Sequence, residues 1–557
     1  MRGIRGEIMK NYLSFFRQSV NMFVNTYKHI YNPYIAYKKI KKQSLPMSSG
    51  DNILIVNVIG AYSGHIFEGL YARKAMLHGT RVGVLFCGNY LSHCEAVMDI
   101  STYKSVRCAC CQAQQEEFAK AFGVDVYNYG ALLTDEDERQ MQQFADDYFR
   151  TPNNKHYFLE VKIEPILYSA LQRYYLIAAP AMEDTKVTRG FLRTILATLI
   201  MMDKLEKRLH FKYVLSSHGT YSAWGAAVAY CQSHGIYVIT YGQNYNKSGY
   251  EFTYDASYLT GDLEDRENLW AKRDLSVERR KRAVRFLDER LGRVSDENVA
   301  FDYNKNNKTH YNKTDLYKLL NIPHEKKIVG LFPNIPWDGQ VTGTSAVFSQ
   351  FRDWLKTTVD YFAKRDDAYL IIRSHPAEAL VGDNAGRETT TTMLQEMYGK
   401  LPENIILLHP KHKVNSYTLG ENVEFGIAYS TTLTMELTYL GIPVILCGCP
   451  PFKNKGIGFD ISSIEHYLQL LDDGLAGKLK VSDERKETLF KFIDYFFFMR
   501  TMPQTLVEVK DCVPLNLLFN SEAELDADPV FDDLYKHIES KEPMDFSRFW
   551  PMVTDDE

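Results

Sequence analysis

The chain has 557 residues, of which 45% are hydrophobic and 24% are charged, and its formal net charge is −5. This composition excludes a disordered or low-complexity protein, and the length exceeds what one hydrophobic core normally organises. The slightly acidic balance, with a pI near 6.3, gives no reason to expect nucleic acid as a partner.

Residues 1–50 form a basic N-terminal segment, in which many lysines and arginines stand against one early acid, Glu7. Aromatic residues lie between the basic ones. Such a segment can lie in the interface of an anionic membrane, and a helix packed on the protein body explains the pattern equally well. The chain shows no signal-peptide pattern and no apolar run long enough to span a membrane. We therefore expect a cytoplasmic protein, with peripheral contact at the inner face of the plasma membrane left open.

A strand–helix–strand pattern begins after this segment. Residues 53–60 are apolar and β-branched, a helical pattern follows, and residues 81–87 form the next apolar run. Units of this kind predict a parallel sheet covered by helices. Further strands are predicted at 212–217 and 236–241, so residues 51–295 are expected to form an N-terminal Rossmann-like domain.

Residues 296–313 are polar and rich in Asn and Lys, which predicts a linker. The strand–helix alternation then resumes over residues 314–480, which predicts a second Rossmann-like domain before a C-terminal helical tail at 481–557. Its strands are expected at 327–332, 368–373, 404–408, 425–429 and 442–447. The predicted fold class is α/β, with two doubly wound sheets facing a cleft and ligands at the carboxyl ends of the strands.

Two loops of the second domain follow predicted strands and carry groups suited to phosphate. The first contains Arg373 and His375, which can donate hydrogen bonds to phosphate oxygens, within the run Arg373, Ser374, His375, Pro376 and Glu378. Pro376 would hold the turn rigid. A strand-ending turn with a surface histidine is the alternative interpretation.

The second loop begins a predicted helix with Ser430, Thr431 and Thr432. Hydroxyls and backbone N–H groups at a helix start can bind phosphate, although plain N-capping explains the same residues. Glu436 follows within the helix and could bond ribose hydroxyls. The side chains expected to line the predicted cleft are those of Asn334, Trp337, Asp338 and Gln243.

Taken in order, five segments resemble the C-terminal domain of bacterial capsule polysaccharide biosynthesis proteins: residues 334–338, 348–355, 371–378, 415–417 and 430–444. The resemblance implies a GT-B fold and a glycosyltransferase that moves a sugar from a nucleotide-activated donor to a surface-polysaccharide acceptor. The implied partners are the nucleotide-sugar and a glycan or lipid-linked acceptor, and no metal is strictly needed for transfer.

The Arg-x-His-Pro motif is also similar to that of Kdo transferases and sialyltransferases of this fold. That similarity implies that His375 contacts the nucleotide or its phosphate, and that Ser430 and Thr431 contact the phosphate. The helix after them is similar to the ribose-binding helix of other GT-B enzymes, which assigns Glu436 to ribose. Val444 stands where such enzymes often carry a second Glu, which favours a CMP-sugar over a UDP- or GDP-sugar.

Two histidines of the first domain are candidates for the catalytic base. His65 and His218 lie in loops after predicted strands, and imidazole titrates in the range that deprotonation of a sugar hydroxyl requires. A structural loop histidine is an equal alternative for each.

Cysteines are concentrated in one region of the chain. Cys87, Cys94, Cys108 and Cys111 could hold a structural Zn²⁺, since the last two form a Cys-x-x-Cys pair and a cytosolic chain should not rely on disulfides. Buried, reduced thiols are the alternative.

Three other functions remain compatible with these patterns. A sugar-nucleotide epimerase of the same fold would turn over the donor without an acceptor. A CDP-polyol phosphotransferase would use a similar Arg-x-His-Pro turn and serine-rich loop, and a non-catalytic scaffold would lack the base.

Overall fold

The computed structural model describes residues 32–59, 65–95, 104–151, 154–244, 249–257, 269–293, 310–337, 347–379, 387–510 and 513–551. Several sequence predictions fall outside these ranges: the first 31 residues of the basic segment, most of the linker, and Asp338.

The strands, in chain order, are β1 Asn52–Asn57, β2 Arg81–Phe86, β3 Asp125–Asn128, β4 Tyr157–Phe158, β5 Val161–Lys162, β6 Tyr213–Ser217, β7 Val238–Gln243, β8 Tyr250–Tyr254, β9 Lys327–Phe332, β10 Ala368–Arg373, β11 Ile405–Leu408, β12 Phe425–Ala428, β13 Val444–Leu446, β14 Phe459–Asp460, β15 Thr501–Met502, β16 Val507–Lys510 and β17 Val513–Leu517. The helices are Asn32–Lys39, His65–Leu77, Lys104–Phe122, Tyr129–Leu132, Asp135–Arg150, Glu164–Tyr175, Lys186–Leu209, Ala223–Ser233, Leu269–Lys272, Val277–Arg290, Lys313–Leu320, Phe351–Phe362, Thr390–Tyr398, Ser416–Gly420, Leu433–Tyr439, Ile464–Leu475, Asp483–Ile493, Glu522–Ala527 and Pro529–Ser540.

The chain divides into two compact units, and the first comprises the described residues of Met1–Tyr174, Met182–Leu259 and Arg500–Phe549. Its seven-stranded sheet has the order β15-β8-β7-β6-β1-β2-β3. Five neighbouring strands of this sheet, in the order β3-β2-β1-β6-β7, pair in parallel. With β1 between β2 and β6, this is the strand order of a Rossmann sheet. β8 and β15 extend the edge in antiparallel pairing.

The second unit comprises the described residues of Tyr175–Ala181, Thr260–Met499 and Trp550–Glu557. Its six strands lie in the order β11-β10-β9-β12-β13-β14, and all of them pair in parallel. This is the full order of a doubly wound Rossmann sheet. The predicted α/β class with two such sheets is confirmed.

The grouping of the chain differs from the predicted segments in two places. The helix Val277–Arg290 belongs to the second unit, because Arg282 donates at 2.6 Å to the fully buried carboxylate of Asp494. Residues 500–549, predicted as part of a separate tail, return to the first unit. There Lys74 donates at 2.9 Å to Asp526, and β15 pairs with β8.

Residues 32–39 of the basic segment form a packed helix, and residues 40–50 continue without helix and are mostly exposed. Tyr34 and Tyr37 of Asn32–Lys39 are buried in the first unit, edge-on to Phe118 and tilted against Phe122 respectively. The packed-helix alternative therefore holds for these residues. Among the described helices, none combines the length and the hydropathy that a membrane span requires.

Candidate functional site

Three loops leave the second sheet at one edge. Leu331 of β9 is level with Ile372 of β10 and with Ile427 of β12, so these parallel strands end together. The strand order reverses between β9 and β12, which is where Rossmann sheets bind ligands. Neighbouring strands lie about 4.8 Å apart, so the loops after β10 and β12, which carry His375 and Ser430, start roughly 10 Å apart.

His375 is held as a neutral hydrogen-bond donor. Its Nδ1 accepts the backbone N–H of Ala377 at 3.2 Å, so the ring proton of the neutral form lies on Nε2. Burial, with a contribution from the positive charge of Arg373, lowers the pKa of His375 to about 4. The imidazole is therefore an uncharged Nε2–H donor at neutral pH.

Arg373 supports the loops and does not present a free fork to a ligand. Its Nη1 donates to the carbonyls of Ser374 and His409 at 3.0 and 2.9 Å, and its Nη2 donates to that of Pro410 at 3.0 Å. Burial lowers the pKa of Arg373 to about 10. These bonds brace the loops after β10 and β11, while the buried Nε of Arg373 has no hydrogen-bond partner among the described residues. The predicted contact of Arg373 with phosphate stays a prediction.

Glu378 is also engaged within the protein. One carboxyl oxygen accepts the hydroxyl of Thr390 at 2.7 Å and its backbone N–H at 3.3 Å. Burial raises the pKa of Glu378 to about 7. The residue ties the short 3-10 turn Pro376–Ala379 to the start of the helix Thr390–Tyr398.

Ser430 lies against a second backbone segment. The loop after β13 lies next to Ser430, since the backbone N–H of Gly448 donates to the carbonyl of Tyr429 at 2.8 Å. A Cβ at Gly448 would lie only 2.3 Å from Ser430 Oγ, so only glycine fits this approach. The next residue, Thr431, accepts the N–H of Leu433 at 3.3 Å, and the helix Leu433–Tyr439 begins there.

Arg290 is a residue of this region that the sequence analysis missed. Its guanidinium hydrogen-bonds the fully buried Glu436 and donates at 2.8 Å to the hydroxyl of Thr432. The charge of Glu436 is thus paired within the unit. The arginine-rich pattern of Val277–Arg290 carries no signal that singles out this one side chain.

Several buried polar atoms at this edge have no hydrogen-bond partner among the described residues: Ser374 Oγ, Ser430 Oγ, Thr434 Oγ1 and Glu436 Oε2. A buried polar group without a partner costs roughly 1–3 kcal/mol. A hydrogen bond from such a group to a bound ligand is one way in which this cost is offset.

The loop after β9 reaches the same edge. Asn334 is buried, and its side-chain oxygen accepts the N–H of Ile335 at 2.8 Å. Trp337 is half-buried. The loop that carries these two predicted lining residues therefore begins between the loops of His375 and Ser430.

The first sheet has a corresponding edge, where His218 follows β6. Its backbone N–H donates to the carbonyl of Tyr241 at 3.0 Å, and its ring stands edge-on to Trp224 at 4.4 Å. Burial, followed by the positive charge of Arg173, lowers the pKa of His218 to about 3. An imidazole this weakly basic is a poor proton acceptor in the form seen here.

The other two predicted residues of the first unit are less defined. The helix His65–Leu77 begins at His65, but the side chain of His65 lies outside the described part of the chain. Gln243 ends β7 and is half-buried.

Glu95 is a second residue that the sequence analysis missed. It is buried and accepts the backbone N–H of Ser222, while its other carboxyl oxygen has no hydrogen-bond partner in the described part of the chain. Burial raises the pKa of Glu95. The positive charge of Arg173 acts to lower that pKa, as it does the pKa of His218. A lone glutamate in a polar loop gives no sequence signal of this environment.

The cysteines do not form the predicted zinc site. Within the described ranges, no group of three or more His, Cys, Asp or Glu side chains could hold a metal ion. Cys108 and Cys111 lie on the helix Lys104–Phe122. Cys87 is buried after β2, where burial raises the pKa of its thiol although backbone N–H groups of residues 89–91 bond to it. The alternative of buried, reduced thiols fits Cys87, whereas Cys94, Cys108 and Cys111 are reduced thiols that are only half-buried.

No known family profile and no curated protein match the sequence. Among solved structures, the Thermosulfurimonas dismutans KpsC β-Kdo 2,7 transferase is similar at 13% identity and a TM-score of 0.31, over 61% of this chain and 89% of that one. The UDP-GlcNAc 2-epimerase from Neisseria meningitidis bound to UDP-GlcNAc is similar at 10% identity and a TM-score of 0.22, over 79% and 94%. The spinosyn rhamnosyltransferase SpnG follows at 11% identity and a TM-score of 0.25, over 80% and 96%. At these values the similarities assign neither a donor nor an acceptor.

Proposed function

We propose that the protein is a glycosyltransferase that moves a sugar from a nucleotide-activated donor to a surface-polysaccharide acceptor. The observation that carries the proposal is the edge of the second sheet, where an Nε2–H donor on His375 and buried hydroxyls on Ser374 and Ser430, which have no partner among the described residues, follow β10 and β12 on either side of β9. Uncharged donors gathered at the switch point of a Rossmann sheet suit the phosphate of such a donor.

The nucleotide would contact the second unit. His375, Ser374 and Ser430 would donate to phosphate oxygens, and Arg373 would hold their loops in place. Glu436 would bond ribose only in part, because Arg290 occupies one of its oxygens. The Arg-x-His-Pro resemblance favours a CMP-sugar, and side-chain donors would stabilise the leaving phosphate without a metal.

The acceptor and the proton acceptor are proposed on the first unit. Glu95 joins His218 and His65 as a candidate base, and its raised pKa places it nearer to neutrality than an ordinary carboxyl. A glycan or lipid-linked acceptor would present uncharged hydroxyls to this unit. Contact of the basic N-terminal segment with the inner membrane would serve a lipid-linked acceptor.

A panel of CMP-, UDP- and GDP-sugars, with a CDP-alcohol alongside, tests the function. We expect one class to raise the melting temperature of the wild type, His375→Ala to abolish that shift, and sugar release to depend on an added glycan acceptor. Conversion of a UDP-sugar without acceptor would instead indicate an epimerase, and transfer from the CDP-alcohol would indicate a phosphotransferase. Absence of any nucleotide binding would overturn the proposal.

A further inference from the structure

Two arginines, Arg373 and Arg290, lie at this edge of the second sheet and are engaged within the protein, although the buried Nε of Arg373 has no partner among the described residues. Arg373 donates to three backbone carbonyls. Arg290 bonds Glu436 and Thr432. His375 is neutral, so it contributes a hydrogen bond and no charge. A further positive group at this edge would offset the charge that develops on the leaving phosphate.

Lys453 lies beside Ser430 through Gly448. Its ammonium donates to the carbonyl of Gly448 at 3.2 Å, and Gly448 approaches Ser430 so closely that a Cβ there would lie 2.3 Å from Oγ. Standard backbone dimensions then place the ammonium within roughly 9 Å of the Ser430 hydroxyl. This distance is an upper limit on the separation, and one phosphate with a hydrogen bond at each end spans up to about 8 Å, so one ligand could contact both groups.

The surroundings of Lys453 leave it available. It is half-buried, and one of its three ammonium donors is directed at Gly448. Asp460 is half-buried, and desolvation raises the pKa of its carboxyl although the nearby Lys453 acts to lower it. Within the described ranges, the ammonium of Lys453 forms a hydrogen bond to Gly448 and no ion pair with a carboxylate.

We propose that Lys453 binds the donor phosphate together with Ser430 and stabilises it as the leaving group. This inference rests on the proposed function. When the bond from the anomeric carbon to the phosphate oxygen breaks, its electron pair stays on that oxygen and the ammonium of Lys453 hydrogen-bonds the added charge. The acceptor hydroxyl forms the new bond to the anomeric carbon, and its proton passes to the general base of the proposed transferase.

Paired ligands with and without phosphate test the assignment. Titration calorimetry would compare CMP with cytidine, and UDP with uridine, on the wild type and on Lys453→Met, Lys453→Gln and Lys453→Arg. We expect Lys453→Met to weaken nucleotide binding at least tenfold, about 1.4 kcal/mol, while nucleoside binding stays unchanged. Lys453→Arg should remain within about threefold of the wild type because it keeps the charge.

Two matched lysines serve as controls. Lys455 lies two positions further in the same loop, over the Trp270 ring, and Lys411 is exposed in the loop after β11. Lys455→Met and Lys411→Met should both bind nucleotide with wild-type affinity. Unchanged affinity in Lys453→Met and Lys453→Gln, or the loss appearing in Lys411→Met instead, would overturn the inference. A wild type that binds no nucleotide would remove the proposed function itself.

Discussion

The two sheets share a Rossmann strand order, yet their reversal points carry different chemistry. At the second sheet, His375, Ser374 and Ser430 offer hydrogen-bond donors and Lys453 offers positive charge. At the first, Glu95 offers a carboxyl whose pKa is raised by burial. Under the proposed function, the same strand order serves an anionic donor at one sheet and an acceptor hydroxyl at the other, because the loop residues differ.

The largest effect, on kcat, is expected for Glu95, the proton acceptor proposed on the first unit. Glu95→Gln should lower kcat by about 100- to 10,000-fold, the range of general base catalysis, because the amide cannot take the proton. The amide oxygen can still accept the N–H of Ser222, so the fold and nucleotide affinity should persist. Steady-state kinetics and titration calorimetry measure the two quantities.

Glu183→Gln is the matched control, since Glu183 is exposed in the same unit, and it should retain full activity. Normal turnover in Glu95→Gln would remove Glu95 from the mechanism and return His65 and His218 to consideration.

Arg373→Met should destabilise the second unit by about 3 kcal/mol, because three backbone carbonyls of the loops after β10 and β11, two of them in buried bonds, lose a charged donor. Differential scanning calorimetry measures the change as a lower melting transition. Arg139→Met should change little, since Arg139 makes an exposed ion pair with Glu136. Equal stability of the two variants would contradict the bracing position of Arg373.

Gly448→Ala should weaken nucleotide binding by about 10- to 100-fold, because the added methyl group would displace Ser430 and the Tyr429 backbone. Gly130→Ala is the control from the first unit, where the new Cβ would meet its nearest neighbour at an ordinary 3.7 Å. Titration calorimetry with the best nucleotide compares them. Wild-type affinity in Gly448→Ala would show that the contact of Gly448 with Ser430 does not shape the binding site.

The smallest effect concerns pH. Burial lowers the pKa of His375 to about 4 and that of His218 to about 3. At these two imidazoles the unfolded chain therefore binds protons at a higher pH than the folded chain, and their contribution to the free energy of unfolding falls as the pH falls below 6.5. Each imidazole should account for about 1–2 kcal/mol between pH 6.5 and 4.5.

His375→Gln should reduce this acid sensitivity in the second unit, and His218→Gln should reduce it in the first. Urea titrations at several pH values measure the slopes. Variants with the wild-type pH dependence would show that neither imidazole is held neutral in the folded state.

The sequence predicted the fold better than the site. Strands such as Lys327–Phe332 and Ala368–Arg373 were predicted at their observed bounds, because each is a short apolar run between helical patterns. β15 was missed because its partner strand lies some 250 positions earlier, with Thr501 opposite Glu251. No local pattern reports a pairing of that kind.

The same reason explains which functional residues could be predicted from the sequence and which could not. His375 and Ser430 stand out because they follow predicted strands, and strand ends define the edge. Arg290 meets Glu436 across 146 positions, and the environments of Glu95 and Lys453 likewise depend on loops brought together by the fold. Arg373 looked like a phosphate ligand in sequence, and its three carbonyl partners became visible only in the structure.

A crystal structure of the protein with its tightest-binding nucleotide tests the central claim most directly. The account predicts phosphate oxygens within about 2.7–3.2 Å of His375 Nε2 and Ser430 Oγ, at the edge where β9, β10 and β12 end. A nucleotide bound at the first sheet, or with its phosphate in contact with neither residue, would contradict it.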